Sequence, residues 1–231
     1  MQPESHRARA QHLREAETAA RQLFSMVQAQ EILVPGTSEL DANSAIREIA
    51  KREFGVDKFW HKRIVRSGPN TMFPYRENPP DRVMTVDDIV FLDFGPIFAD
   101  WEADFGRTFV IGNDPHKLQI QHDCETLWSI GKEYFETHLE ITGEEIYEFL
   151  KGQAKDRGYT FGDRHCGHLI GDFPHEKIEN DKITSYLTSG NTLPLRRFDE
   201  LGRPWHWILE IHIVDESRQY GAFFEQLLTV D

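Results

Sequence analysis

Four carboxylates interrupt apolar stretches of this sequence. Asp93 lies in Val-Phe-Leu-Asp-Phe-Gly and Asp104 in Ala-Asp-Phe-Gly-Arg-Thr-Phe, while Glu210 and Glu225 each interrupt an apolar segment further along the chain. A buried carboxylate is costly unless it is protonated, paired or bound to a cation. The four acids fall as one pair in each of two predicted hairpins. If a pseudo-twofold relates these hairpins, all four carboxylates converge on one point.

Four carboxylates at one point repel, and a pair of divalent cations would compensate them, since hard cations prefer carboxylate oxygen. A histidine is expected as a further ligand, and the segment between the hairpins offers His165, His168 and His175. Gly167 and Gly171 flank His168 and would let the backbone pack closely there. Manganese is the first expectation for the metal, with iron, cobalt or zinc as alternatives. The other histidines are read as structural or surface residues: His61, His116, His122, His138, His206 and His212.

The elements that must position these residues follow a repeating pattern. Apolar periodicity and capping signals predict four helices, and β-rich runs predict five strands. The helices are predicted over 7–30, 38–55, 116–139 and 142–158, and the strands over 63–66, 88–94, 104–111, 207–214 and 222–230. The order helix, helix, hairpin, helix, helix, hairpin indicates an α+β unit used twice. With no linker between the halves, we expect one domain over residues 1–231, including the N-terminal helices of about 7–55.

The segment 188–206 is predicted as a long polar loop. We read Arg196 and Arg197 as a solvated pair within it, and Trp205 and Trp207 as side chains that could help this loop cover the site.

Composition excludes several classes of function. The 231 residues contain 26 Lys and Arg against 39 Asp and Glu, a formal net charge of −13. Such an acidic chain is poorly suited to nucleic acid or to an anionic membrane surface. No apolar run is long enough to span a bilayer, and the first residues lack the apolar core of a signal peptide. Because only two cysteines are present, we expect a reduced, cytoplasmic protein without disulfides.

Asp-Phe-Gly occurs at 93–95 and 104–106, as in protein kinases. A kinase is excluded because the Gly-rich loop, the strand lysine and the His-Arg-Asp motif are missing.

The ordered set of acids and histidine resembles the pita-bread metallopeptidases: methionine aminopeptidase, aminopeptidase P, prolidase and creatinase. Their five metal ligands run Asp, Asp, His, Glu, Glu, which correspond here to Asp93, Asp104, His168, Glu210 and Glu225. The resemblance covers about residues 12–231. It implies a pita-bread fold, in which two pseudo-symmetric αβ halves with an antiparallel sheet surround a dinuclear metal site. Without the large N-terminal domain of prolidase and creatinase, a stand-alone catalytic domain is expected.

The resemblance also implies roles for individual residues. Glu210 would accept a proton as well as bind metal, and His175 would hydrogen-bond the substrate carbonyl or the oxyanion. His165 matches an additional histidine of the prolidase branch, and with Tyr75 it would line the substrate pocket. Tyr75 stands where family peptidases usually carry another histidine, and Ile211 follows Glu210 where the family often has proline.

Three functions remain open from the sequence. The first is an aminopeptidase or dipeptidase of the Xaa-Pro type acting on short peptides, with a homodimer expected from the family. The second is a non-peptidase enzyme on the same metals, such as a creatinase-like C–N hydrolase, a lyase or an oxidative enzyme. The third is a metal-free module that binds peptides.

Overall fold

The computed structural model describes residues 6–172 and 182–230. The helices are α1 His6–Ala29, α2 Glu39–Phe54, α3 Pro115–Thr137 and α4 Gly143–Asp156, with short 3₁₀ turns at Gly68–Met72 and Ile183–Ser185. The strands are β1 Ile64–Ser67, β2 Ile89–Phe94, β3 Ile97–Phe98, β4 Trp101–Glu102, β5 Phe105–Val110, β6 Thr160–Phe161, β7 His165–Ile170, β8 Tyr186–Thr188, β9 His206–Asp215 and β10 Tyr220–Leu227.

The four predicted helices form close to their predicted limits. The apolar stripe of α1 is buried, as expected for an amphipathic helix that packs against the core. Helix α2 begins at the N-cap Ser38 and ends at Gly55, whose φ of 68° is left-handed. Helix α4 begins with a capping box in which Thr142 and Glu145 satisfy each other's backbone N–H groups.

The sheet shows the predicted repetition directly. Its strand order is β1-β2-β5-β10-β9-β7-β8, with β6 on the edge of β9, and its pairings are antiparallel. Three strands of the first half therefore mirror three of the second about the β5–β10 boundary. Both predicted hairpin pairings are confirmed. The small β3–β4 hairpin and strands β6 to β8 were not predicted, because they are short or lack an apolar alternation.

Each half packs its own helices against the sheet. Helices α1 and α2 share one buried cluster with Leu92 and Phe94, and α3 and α4 share another with Leu209 and Ile211. Those residues flank Asp93 and Glu210. Because side chains alternate along a strand, both acids point to the face opposite the helices.

The loop before β9 matches the sequence prediction only in part, because Arg196 is exposed whereas Arg197 is half-buried. Arg196 and Arg197 lie over the rings of Phe135 and Trp205, at 3.8 and 4.2 Å from the ring centroids. Trp207 is fully buried in the core of the second half. Neither tryptophan lines the carboxylate cavity described below. Among the described residues, no helix is long and apolar enough to cross a membrane.

Candidate metal centre

The structure brings the five predicted metal-site residues together. Asp93 lies on β2, Asp104 directly precedes β5, and His168, Glu210 and Glu225 lie on β7, β9 and β10. All five line one cavity of about 160 Å³. His175, predicted to face the substrate, lies outside the described residues.

Strand register places the acids. Glu225 is directly opposite Glu210 in the β9–β10 pair, while Gly106 is opposite both Asp93 and Glu225. The first hairpin therefore meets the second at the point where both carry carboxylates. Gly167 has a φ of 146°, and a Cβ there would lie 2.1 Å from the Ile208 carbonyl oxygen. This glycine lets β7 approach β9 closely beside His168.

Asp104 lies between two histidines. Its Oδ2 is 3.1 Å from Nε2 of His168, and its Oδ1 is 3.0 Å from Nε2 of His61. The same His61 nitrogen is 3.5 Å from Oδ1 of Asp93. The side chain of His61 is 7% exposed. The interpretation of His61 as structural or surface therefore missed a residue of the centre.

A signal for His61 was present in the sequence. His61 precedes β1 by three positions, and Ile64 at the start of β1 pairs with Asp93. A pairing of the predicted strand 63–66 with the strand that carries Asp93 would have brought this histidine near the acid. That pairing joins segments almost thirty residues apart and could not be read from local periodicity.

The other wall of the cavity carries the remaining predicted residues. Nδ1 of His165 is 2.5 Å from Oε1 of Glu210. Tyr75 is at the rim, 43% exposed, and its hydroxyl accepts a hydrogen bond from the Lys62 N–H at 3.3 Å. Trp60 and Tyr186 also line the cavity. The predicted pocket residues Tyr75 and His165 therefore border the same cavity as the acids.

Burial and the close approach of these ionisable groups shift their pKa values. Burial raises the pKa of Asp93 to about 7, although His61 opposes this. Burial also raises the pKa of Glu225 well above its usual range, and Asp104 adds to the effect. For Asp104 itself, burial would raise the pKa, but His61 and His168 hold it well below the ordinary value.

The histidines respond to the acids. Burial lowers the pKa of His61 and of His168, but contact with Asp104 outweighs burial and raises both to about 9. Burial would raise the pKa of Glu210, yet the adjacent His165 holds it below its usual value. The centre thus concentrates negative charge that needs positive partners.

The donor set fits divalent cations. Two groups of three donors, His61–Asp93–Asp104 and Asp104–His168–Glu225, each have their ligand atoms within 4.8 Å of one another. In the described part of the chain, the buried Oε2 of Glu225 has no hydrogen-bond partner. Buried oxygen without a donor, next to imidazole nitrogen, suits a hard or borderline metal ion.

The fold and this donor set place the chain in the class of pita-bread metalloenzymes. Metallopeptidase family M24 matches residues 11–230, and the chain belongs to that family. The family uses divalent metals, in agreement with the donor groups found here.

Similar proteins support the fold assignment. The chain is 30% identical to a methionine aminopeptidase of Helicobacter pylori over 117 residues, which cover 48% of this chain and 43% of that protein. A prolidase from Thermococcus sibiricus superimposes with a TM-score of 0.77 at 22% identity, covering 97% of this chain and 57% of that one. A methionine aminopeptidase from Thermotoga maritima superimposes with a TM-score of 0.69 at 17% identity, covering 97% of both chains. The matched region spans less than half the length of the curated relatives.

Proposed function

We propose that this protein is a dinuclear-metal-dependent hydrolase that cleaves short peptides, as an aminopeptidase or dipeptidase of the Xaa-Pro type. The observation that carries the proposal is the convergence of Asp93, Asp104, His168, Glu210 and Glu225 on one cavity in a chain of family M24. In this proposal those five residues hold the metals. The prolidase-like and aminopeptidase-like folds of the similar structures support a peptide substrate.

Two divalent cations, when bound, would polarise a substrate carbonyl and activate water. The chain supplies the proton transfers. Glu210 is kept ionised by His165 and faces the cavity, so it can accept a proton from water and release it to the leaving nitrogen. His165, in contact with Glu210, holds this carboxylate in position. We propose that His175 binds the substrate carbonyl or oxyanion.

Tyr75 would act on the substrate as a neutral phenol. Burial raises its pKa, so the hydroxyl keeps its proton and can donate a hydrogen bond while accepting one from Lys62. The Lys62 ammonium lies 4.5 Å from the centroid of the Tyr75 ring and fixes the ring at the rim. Tyr75 would thereby orient the substrate without carrying protons as an imidazole does.

A second candidate is a non-peptidase enzyme, such as a creatinase-like C–N hydrolase, a lyase or an oxidative enzyme. Tyr75 favours it, since this residue replaces an imidazole that family peptidases usually place at the site. A metal-free peptide-binding module receives less support, because it would not require so many buried acids around one cavity.

Mass spectrometry of a mixed dipeptide and tripeptide pool tests the proposal. Manganese-loaded wild type and Asp104→Ala would be incubated with the pool, and the metal content of each would be measured. Release of N-terminal residues by the wild type alone supports a peptidase, and the cleaved peptides reveal whether proline is required. No cleavage by metal-loaded wild type would reject the peptidase and favour the second candidate.

Several finer expectations accompany the proposal. We propose manganese as the working metal, with iron, cobalt or zinc as alternatives, and a homodimer without nucleic-acid or membrane partners. The single domain over 1–231 and the cytoplasmic location also remain predictions. Cys124 and Cys166 are both free and buried.

A further inference from the structure

His61 and His168 have matching surroundings on the two sides of Asp104. Nδ1 of His61 is 2.7 Å from the carbonyl oxygen of the next residue, Lys62, and Nδ1 of His168 is 2.8 Å from that of Leu169. The two Nε2 atoms lie 3.0 and 3.1 Å from the two oxygens of Asp104. His61, which the sequence did not indicate as a ligand, thus has the same kinds of contact as His168, which it did.

These contacts fix which ring nitrogen faces the acids. A carbonyl oxygen can only accept, so Nδ1 carries the hydrogen in both rings. In neutral His61 the Nε2 lone pair would then point at the carboxylate oxygens of Asp104 and Asp93. A lone pair facing two carboxylates is repulsive unless a proton or a cation lies between them. Metal-binding histidines commonly donate their other N–H to a backbone carbonyl in this way.

The surrounding chain is shaped to hold His61 there. A Cβ at Gly95 would lie 2.2 Å from Cδ2 of His61 and 2.4 Å from Nε1 of Trp60, so only glycine leaves room for both rings. Nε1 of Trp60 donates to the Ala103 carbonyl, next to Asp104. The ring of Tyr75 lies 5.7 Å from that of His61. The imidazole of His61 therefore reaches the centre next to Tyr75, the residue that stands where the family usually has a histidine.

We propose that His61 Nε2 is a sixth protein ligand of the metal centre, so that the cation held by Asp93 and Asp104 has an imidazole of its own. This inference rests on the metal site of the proposed function and not on peptide cleavage. A second nitrogen ligand raises the preference of the centre for cobalt, iron or zinc relative to manganese.

The opposing explanation is that His61 only neutralises the acids as an imidazolium. The two explanations predict different effects on cation binding when the ring nitrogens of His61 are removed. A ligand supports cation binding, so its loss weakens binding. A fixed positive charge competes with cations, so its loss leaves binding unchanged or strengthens it.

Calorimetric titration of the full chain with Co²⁺, together with the visible spectrum of the cobalt form, distinguishes them. We expect wild type to bind two Co²⁺ and His61→Phe to bind one of them at least about tenfold more weakly, since even outer-shell losses cost about 10–100-fold. His206→Gln is the matched control, because His206 is buried at the start of β9, with its Nδ1 3.4 Å from the Thr229 hydroxyl and with Arg9 and His6 as its charged neighbours. Unchanged or tighter binding by His61→Phe overturns the proposal.

Nitrogen NMR of wild type labelled in histidine places the metal-binding readout on the wild-type protein, so that variants serve only for assignment. Titration with Zn²⁺ should shift the Nε2 signals of both His61 and His168, assigned with His61→Asn and His168→Asn. A shift of His168 without His61 would overturn the inference. If wild type binds no metal at all, the proposed function fails with it, whereas two bound metals without peptide cleavage would reject only the peptidase.

Discussion

At the scale of single residues, the buried carboxylates of the metal centre lower the stability of the metal-free fold. Glu225 is almost fully buried beside Asp104, and one of its oxygens has no hydrogen-bond partner among the described residues. Such a group lowers the stability of the fold until something positive compensates it. The carboxylate is better explained by ligand binding than by packing.

Glu225→Gln should therefore have opposite effects on stability and on metal binding. Removal of the negative charge should raise the melting temperature in EDTA at neutral pH, because the raised pKa of Glu225 disfavours folding whenever the unfolded chain is ionised. The same change should weaken Co²⁺ binding in calorimetry by at least about tenfold. A variant that is destabilised in EDTA and binds metal normally would contradict this account.

His206 should make the protein sensitive to acid. Burial, with Arg9 and His6 nearby, lowers its pKa to about 4 from an ordinary 6.5. The folded chain keeps this ring neutral while the unfolded chain takes up a proton, so stability is lost as the pH falls from 6.5 toward 4. The full loss is on the order of 3 kcal/mol.

Urea unfolding of wild type and His206→Gln between pH 7.5 and 4.5 measures the contribution of His206. The variant should lose less stability on acidification than wild type. Part of the pH dependence of stability should remain in the variant, because burial also lowers the pKa of His212. Parallel curves for the two proteins would show that His206 is not responsible.

At this scale the sequence indicated the carboxylate cluster where residue type was unusual for its position, and the role of these acids as metal ligands stays a prediction. Acids inside apolar strands were visible without any structure, and all four border one cavity. His61 was missed because a histidine before a short strand is unremarkable in sequence and is brought to the site by the β1–β2 pairing. Its contact with Asp104 depends on long-range register, which local patterns do not contain.

At the scale of elements, the helices were predictable because side chains near in sequence cap their ends. Thr142 and Glu145 form two reciprocal bonds, and Ser38 accepts from the Asp41 N–H. Strands β6 to β8 were not predictable, since two of them have three residues or fewer and β7 contains the polar and glycine residues of the site. Their conformation follows from pairing with β9 and with one another.

Thr142→Ala should lower the free energy of unfolding by about 1 kcal/mol, because the N-cap hydroxyl and its partner bonds are lost. Denaturant unfolding checks this value. Thr18→Ala is the matched control, since Thr18 is exposed within α1 and its hydroxyl donates to the Arg14 carbonyl one turn back. Equal losses in the two variants would show that the capping box contributes nothing specific.

At the scale of the whole molecule, the metal centre lies where the two halves meet. Strands β2 and β5 bring Asp93 and Asp104, while β7, β9 and β10 bring His168, Glu210 and Glu225. The mirrored strand order was foreseeable from the repeated order of predicted elements. The junction of β5 with β10 was not, because it joins chain segments more than a hundred residues apart.

Metal binding should therefore stabilise both halves together. A cation at one hundred times its Kd adds about 2.7 kcal/mol for each site, and chelation should remove that gain. Hydrogen exchange should show added protection in β2–β5 and in β9–β10 when Co²⁺ is added to wild type. Asp104→Asn should show neither effect, and protection confined to one hairpin would contradict a shared centre.

The most direct test of the central claim is a crystal of the cobalt-loaded protein measured at the cobalt absorption edge. We predict two anomalous peaks in the cavity, one bordered by Asp93 and Asp104 and the other by Asp104, His168 and Glu225. No peak in this cavity, or peaks only at other positions, would contradict the assignment of these residues as a dinuclear metal centre.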